Sequence, residues 1–501
     1  MSRSGVPVLA ALALAACGGG EEPAAPEAAP FEIRPVVAPG LAELEARVAA
    51  ESPAPPPPED DPDELRERVR GLCTFVSGAS AALRDTALAE VRDLGDRAVP
   101  PLADLLGSDG AEPGERTAAA QLLATVGSPR AAACLLGQVE SAREPWVRAH
   151  CAWQLAAAGQ EWIVPRLVLR LKYEKDHDAA IWIASTLGRF GNYAGLLALE
   201  NVRDQGITAE LRGSAAARLA ELAQGAGLDD PAELRRLWDA GDPEGRLPAR
   251  ERGPRYELEV WRKIQGLDDF QLRPVDDGRF VLSRLGALAA TRLGRALHDE
   301  SEYVRIHATQ SLERMGPRAW PAADELTAAL DDPTLAPHAA AALGTLRDPA
   351  AEPALAARLG PEHDLGLRIA CARALGWLGL PRATTALRSL LAEGEALELR
   401  QAAAESILYS DPDGADRALL ELLLELMTSE LVEPTSSENA LGWWLERRSQ
   451  GQVAAAPAVL AEWRAVTAAP PGVVPTVEQS AEARERRAAL VRERLDELLT
   501  P

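Results

Sequence analysis

The sequence predicts an all-α chain, an α-solenoid of helical hairpins with a period of about 32 residues, behind a disordered N-terminal tether. Three observations predict it: an arginine that returns at a nearly constant interval, apolar slots fixed relative to it, and a glycine eleven positions after it. A sustained period in this range is the mark of a solenoid, in which each unit buries its apolar face only against its neighbours.

The interval runs through Arg84, Arg116, Arg148, Ala180 and Arg212 at spacings of 32, and later through Arg305, Ala336, Arg368 and Arg400 at 31, 32 and 32. With that position as slot zero, slot seven is Val91, Leu123, Leu155, Leu187, Leu219, Leu312, Leu343, Leu375 and Ile407. Slot three is mostly Ala, with Cys151, Ile183 and Cys371 as the larger occupants. Slots zero, three, four, seven and ten share one face at about 100° per residue, so each unit opens with an amphipathic helix. Slot eleven is Gly95, Gly127, Gly159, Gly191, Gly316 and Gly379, with Ala223, Arg347 and Asp411 as exceptions. A glycine there ends the first helix because it takes a left-handed conformation without steric cost. A second apolar helix follows, as at 98–106, 165–171 and 384–391, with Pro100, Pro165 and Pro321 near its start, where a missing N–H costs little.

The run Leu367-Arg368-Ile369-Ala370-Cys371-Ala372-Arg373-Ala374-Leu375-Gly376-Trp377-Leu378-Gly379 resembles the HEAT-like repeat first described in phycobilin lyases. The resemblance covers residues 65–228 and 274–425 and implies the fold, while leaving function open. Some HEAT-like proteins are di-iron hydroxylases with His-Glu dipeptides, and this chain has none. Phycobilin lyases act on intracellular pigment proteins, which the export signal described next argues against.

Ahead of the repeats, Met1-Ser2-Arg3-Ser4 is followed by an apolar stretch at 6–16 that is too short to span a bilayer as a helix. It ends Leu14-Ala15-Ala16-Cys17, which resembles the bacterial lipobox. The resemblance implies a signal peptide over 1–17 and a diacylglycerol on Cys17, usually with a third acyl chain, enough for stable anchoring. A plain signal peptide with a chance cysteine is the alternative. Gly18, in place of the Asp that often retains lipoproteins at the inner membrane, favours the periplasm-facing outer membrane.

Residues 18–64 hold twelve Asp or Glu against Arg34 and Arg47, and eleven Pro. Such a segment buries too little apolar surface to offset chain entropy and is expected to be a disordered, partly polyproline tether, interrupted at most by a short helix at 41–50. The formal net charge of −23 argues against nonspecific nucleic-acid binding. Register is lost between Ala223 and Val275, so 229–273 reads as an irregular insertion with helical candidates at 231–240 and 256–267 around a Gly- and Pro-rich loop, either a functional long loop or a degenerate repeat joining two half-arrays. The C-terminal part, 426–501, reads as irregular helices closed by a charged capping helix at 477–499.

No phosphate loop, His-Glu-x-x-His or Cys-x-x-Cys is present, and the six His are scattered, so no catalytic, metal or cofactor site is assigned. Cys151 and Cys371 occupy an alanine slot and read as small buried hydrophobes. A bridge between Cys134 and Cys151 is the alternative that an oxidising compartment permits. Slots two, five and nine lie opposite the core. Slot five is polar or small at Ala89, Gln121, Ser185, Gln310, Arg373 and Glu405, but holds Trp153, while slot two holds His150, Trp182, His307 and His338. His150, Trp153 and Trp182 are therefore the candidate patch for a protein partner. The competing expectation is that these rings lie half-buried against the next repeat. The function expected is a lipid-anchored cell-envelope scaffold; the alternative is an enzyme or enzyme-maturation factor with its site in 229–273. If Cys17 is the anchor, Cys17→Ala moves the protein from the membrane fraction to the soluble one; a variant still membrane-bound, with no lipid on the native protein, refutes the anchor.

Overall fold

The hairpins expected from the register recur in the computed structural model, which describes residues 41–51, 61–78, 80–239, 254–269, 272–429, 431–432, 434–451, 453–466 and 476–499. Cys17 and most of the expected tether lie outside the described residues. Among the described residues there is no strand, and no helix is long and apolar enough to cross a membrane.

Helix starts follow from local chemistry. Ser80, Asp176, Thr208, Ser301 and Asp364 each accept a hydrogen bond from a backbone N–H of the helix they open. Pro113, Pro129 and Pro145 occupy first turns, where no intrahelical donor is lost. After a leading helix at Pro62–Ser77, the units run Ala81–Leu94 with Val99–Gly107, Pro113–Val126 with Pro129–Ser141, Pro145–Ala158 with Val164–Tyr173, His177–Arg189 with Tyr193–Gln205, and Ala209–Gly225 with Pro231–Asp239. Beyond Pro254–Gln265 come Leu272–Leu282 with Ala287–Ala296, Glu302–Met315 with Ala323–Ala328, Ala336–Leu346 with Glu352–Ala356, Leu365–Leu378 with Ala383–Ser389, and Leu397–Ser410 with Arg417–Leu426. These are units one to ten. Pro434–Gln450, Ala456–Ala465, Val477–Glu493 and Leu495–Leu499 close the chain.

The core slots are where the pattern puts them: every side chain at slots three and seven is at most 1% exposed. The slot-eleven glycines all have positive φ, and Arg347 at the same slot of unit eight, at φ +59°, is the one positive-φ residue other than glycine among the described residues. Close approach of neighbouring first helices uses a further slot. A Cβ on Gly376 would lie 2.7 Å from the Cα of Ser406, and one on Gly344 would lie 2.7 Å from the Cα of Ala374.

The register arginine has a structural task that its spacing alone does not reveal. Arg116 Nε donates to the Leu106 carbonyl at 3.1 Å, Arg368 Nε to Leu359 at 2.8 Å, and Arg148 Nη1 to Ala142 and Arg143 at 2.9 Å each. Arg84, Arg212, Arg305 and Arg400 likewise reach carbonyls in the last turn of the preceding helix or in the turn just after it. Such carbonyls lack intrahelical partners, and a guanidinium there also faces the negative end of the helix dipole. The other edge of the fork meets an acid from the next unit: Glu144 for Arg116, Glu174 for Arg148, Asp332 for Arg305 and Glu395 for Arg368. The Arg148 contact is bidentate at 2.8 and 2.9 Å, and the Glu174 side chain is 1% exposed. Burial alone would raise the Glu174 carboxyl, but hydrogen bonds from Arg148 and the Asp176 N–H, with the charge of Arg170, hold it below the ordinary carboxylate value.

The helices expected at 231–240 and 256–267 are formed as Pro231–Asp239 and Pro254–Gln265, and the segment 229–273 contains the joint of the array. Pro231–Asp239 is the second helix of unit five, and Pro254–Gln265 buries Tyr256, Leu258, Val260, Trp261 and Ile264. This joint helix packs back onto the second helix of unit three and forward onto the helices of unit six. Lys172 and Tyr173 bond to Asp277 across it, at 2.7 and 2.5 Å. The array therefore forks: units four and five carry a separate apolar cluster including Ile181, Leu196, Leu199, Leu219 and Leu234. The short helix expected at 41–50 within the tether is formed as Leu41–Glu51, and it packs on the joint helix, with Leu44 against the main core and the Val48 carbonyl accepting from Arg255 at 3.1 Å.

Core truncation by Leu155→Ala or Leu375→Ala is expected to cost about 2–5 kcal/mol. The glycine contacts make a sharper pair. Gly137 is mid-helix with nothing within 4 Å of its would-be Cβ, so Gly137→Ala should raise stability by up to about 1 kcal/mol. Gly376→Ala gains the same propensity but should destabilise by about 1–3 kcal/mol through overpacking. Thermal melts in which both substitutions move the midpoint in the same direction contradict the packing described.

Candidate functional site

The aromatic residues singled out by sequence come together. His150 and Trp153 are three residues apart on the first helix of unit three, so they share a face. Trp182 occupies slot two of the neighbouring first helix, in unit four. The His150 and Trp153 rings meet edge to face at 5.5 Å and 69°, and Trp153 meets Trp182 at 6.0 Å and 49°. Arg218, from the first helix of unit five, extends the row with its guanidinium 4.9 Å from the Trp182 ring centre. Three successive first helices thus build one continuous strip.

Its members differ in burial. Trp153 is 46% exposed, while Trp182 and His150 are half-buried and Trp182 packs against the main core. His150 Nε2 lies 3.3 Å from the Thr117 carbonyl, to which that tautomer donates, and this fixes the ring. Burial pushes the imidazole below its ordinary pKa, outweighing the Thr117 bond, so the ring is neutral at neutral pH. The strip is an apolar, ring-lined surface with a cation at one end. The expectation of half-buried rings holds for Trp182 and His150 and fails for Trp153.

Other residues lie elsewhere. Trp146 sits over the register Arg116, 5.3 Å from ring centre to guanidinium, and Trp162 packs half-buried against the core. Slot five is not uniformly outward-facing as expected: Ser185 and Glu405 are buried. For Glu405 the cause is Pro434–Gln450, whose Ser436 and Ser437 hydroxyls donate to its carboxylate at 2.7 and 2.9 Å. Arg218 is not singled out by the sequence pattern; it lies at slot six of its unit, next to slot five.

Cys73, Cys134, Cys151 and Cys371 are all unbridged, so the Cys134–Cys151 bridge is not formed. Burial raises the thiols of Cys73, Cys151 and Cys371 to about 12, far from the thiolate needed for reactivity. Among the described residues no three His, Cys, Asp or Glu side chains stand together as a metal-holding group.

The sequence profile of the family described as HEAT repeats matches residues 69–156 and 323–407. No curated protein matches the chain. Among solved structures, human deoxyhypusine hydroxylase in complex with glycerol is 20% identical over 70% of this chain and 98% of its own, at a TM-score of 0.20. Kap95p, in its structure with RanGDP, is 13% identical over 85% of this chain and 66% of its own, at 0.31. Kap121p bound to Pho4p is 13% identical over 87% and 55%, at 0.27, so this chain spans little more than half the length of Kap121p. The chain is therefore an all-α solenoid that carries HEAT repeats in two regions, 69–156 and 323–407.

Proposed function

We propose that the chain is a lipid-anchored scaffold of the cell envelope, held by acyl chains on Cys17 and binding a protein partner through the strip of His150, Trp153 and Trp182. The observation that carries the reading is the exposure of Trp153 within a row of rings from units three and four that Arg218 of unit five extends. Other slot-five positions are polar, small or covered, so the repeat does not itself require an indole there. An exposed indole gains most of its stabilisation only when a partner covers it. The half-buried Trp182 and the Thr117-bonded His150 hold Trp153 in place, which lowers the entropy lost on binding. Gly18 supports the outer membrane as the location, with the solenoid facing the periplasm. The alternative, an enzyme or maturation factor with its site in 229–273, draws less support, because Tyr256, Trp261 and Ile264 of that stretch pack into the joint.

The test compares Trp153→Ala and Trp182→Ala for melting and for partner recovery after crosslinking in intact envelopes. Trp153→Ala should abolish recovery while changing stability by no more than about 1 kcal/mol. Trp182→Ala should cost about 1–3 kcal/mol, from lost packing and the lost Arg218 contact. A large fall in melting temperature for Trp153→Ala, or full recovery with it, removes the strip as the binding surface. The surface formed by the second helices then becomes the preferred site.

A further inference from the structure

We propose a second binding site, independent of the aromatic strip: the cleft lined by Tyr193, Arg318, Thr345, Arg347 and Trp377 takes an acidic peptide segment of a partner protein. Four units contribute to it. Tyr193 begins the second helix of unit four, Arg318 follows the first helix of unit seven, Thr345 and Arg347 end that of unit eight, and Trp377 belongs to unit nine. Residues so distant in sequence meet because the array forks and lays unit four beside the later units. The Asn192 side chain pins that contact by donating to the Arg284 carbonyl at 2.9 Å. The cleft holds about 510 Å³, within the range of specific ligand sites.

Its charge runs against that of the chain, whose formal net charge is −23. Arg318 and Arg347 line the cleft, with Arg284 and Arg314 close by. Among the described residues no carboxylate stands within ion-pair distance of Arg284, Arg314 or Arg347, unlike the register arginines Arg148 and Arg368. Burial pushes the Arg284 guanidinium below its ordinary value, and the charges of Arg318 and Arg314 push it further. Arg284 and Arg318 are half-buried and Arg314 and Arg347 exposed, and like charges gathered in this way attract an anion placed among them.

Arg347 adds a separate mark. It holds φ +59° at the slot filled by Gly95, Gly127, Gly159, Gly191, Gly316 and Gly379 in six other units. A left-handed conformation strains a side-chain-bearing residue, and such strain collects at functional sites. Arg318 stacks 3.7 Å from the Tyr193 ring centre, which fixes the plane of its fork. On the far side Trp377 is 41% exposed, at the slot that Thr345 and Arg314 occupy in the two preceding units. A bare anion would satisfy the guanidiniums and leave this indole in water. A peptide with a carboxylate beside an apolar side chain covers both.

The test is a fluorescence-anisotropy titration of the full chain with a fluorescein-labelled hexapeptide of alternating Glu and Leu, and with its Gln and Leu counterpart. The Glu peptide should bind saturably, and the Gln peptide at least ~10-fold more weakly. Arg347→Gly removes the guanidinium while relieving the backbone, so it should weaken binding at least ~10-fold without lowering the melting temperature. Trp377→Ala should weaken binding several-fold, and Arg464→Gln, at an exposed ion pair elsewhere, should leave it unchanged. Equal binding of the two peptides, no saturation by the Glu peptide, or a dissociation constant unmoved by Arg347→Gly overturns the proposal. Trp153→Ala should leave the titration unchanged, so this site and the aromatic strip stand or fall separately.

Discussion

The link between one guanidinium, the carbonyls behind it and the carboxylate ahead of it is the interaction on which the rest of the structure depends. A solenoid has no single centre, so its order rests on how each unit is fixed to the next. Apolar stacking supplies most of the stabilisation but little direction. Arg148 supplies direction, because its planar fork bonds Ala142 and Arg143 on one side and Glu174 on the other. Arg116, Arg148, Arg305 and Arg368 are only 6–9% exposed. A charge buried to that degree is costly unless its donors are met. Arg116, Arg148 and Arg368 bond carbonyls on one side and a carboxylate on the other, while Arg305 Nε stands 3.6 Å from Asp332 without a hydrogen bond and is the looser case.

The exceptions show what the link does and does not control. Unit eight has Ala336 in place of the arginine, yet the first helices of units seven, eight and nine stack without interruption. There Asp332 still faces Arg305, and its carbonyl accepts from the Ala336 N–H at 2.8 Å, so the turn is held from the other end. Unit four also lacks the arginine, at Ala180, and the fork begins there. Its first helix divides between the two apolar clusters, Ile183 and Leu187 in the main core and Ile181 and Ala184 in the branch. The joint helix then takes the place against unit three that a second helix of unit four would fill in an unbroken array. The aromatic strip lies on the row of first helices leading into the branch, and the arginine-lined cleft lies where the branch meets the later units.

What could be read from sequence was what depends on local periodicity. Leu155 and Leu375 repeat at the helical period and are buried; Gly127 and Gly379 recur at the stop position and take positive φ. What could not be read depends on which distant element covers a surface. Glu405 occupies a slot that is exposed at Ala89 and Arg373, and the arrival of Pro434–Gln450 buries it. Trp261 follows the helical pattern of 256–267, but its role at a joint depends on contact with unit three, about a hundred residues earlier. The strip was legible because His150, Trp153 and Trp182 sit on adjacent helices in one register. The cleft was not, because Tyr193 and Trp377 are brought together by the fork and not by the repeat.

The account claims above all that the buried arginine fork, and not the abundance of surface ion pairs, ties unit to unit. A double-mutant cycle tests this directly, using Arg148→Ala and Glu174→Ala singly and together, beside the same cycle at Arg68 and Glu90, where the arginine is 51% exposed. The account predicts a coupling of about 1.5–3 kcal/mol between Arg148 and Glu174. For Arg68 and Glu90 it predicts no more than about 1 kcal/mol. A coupling at Arg148 and Glu174 no larger than at the exposed pair would contradict it.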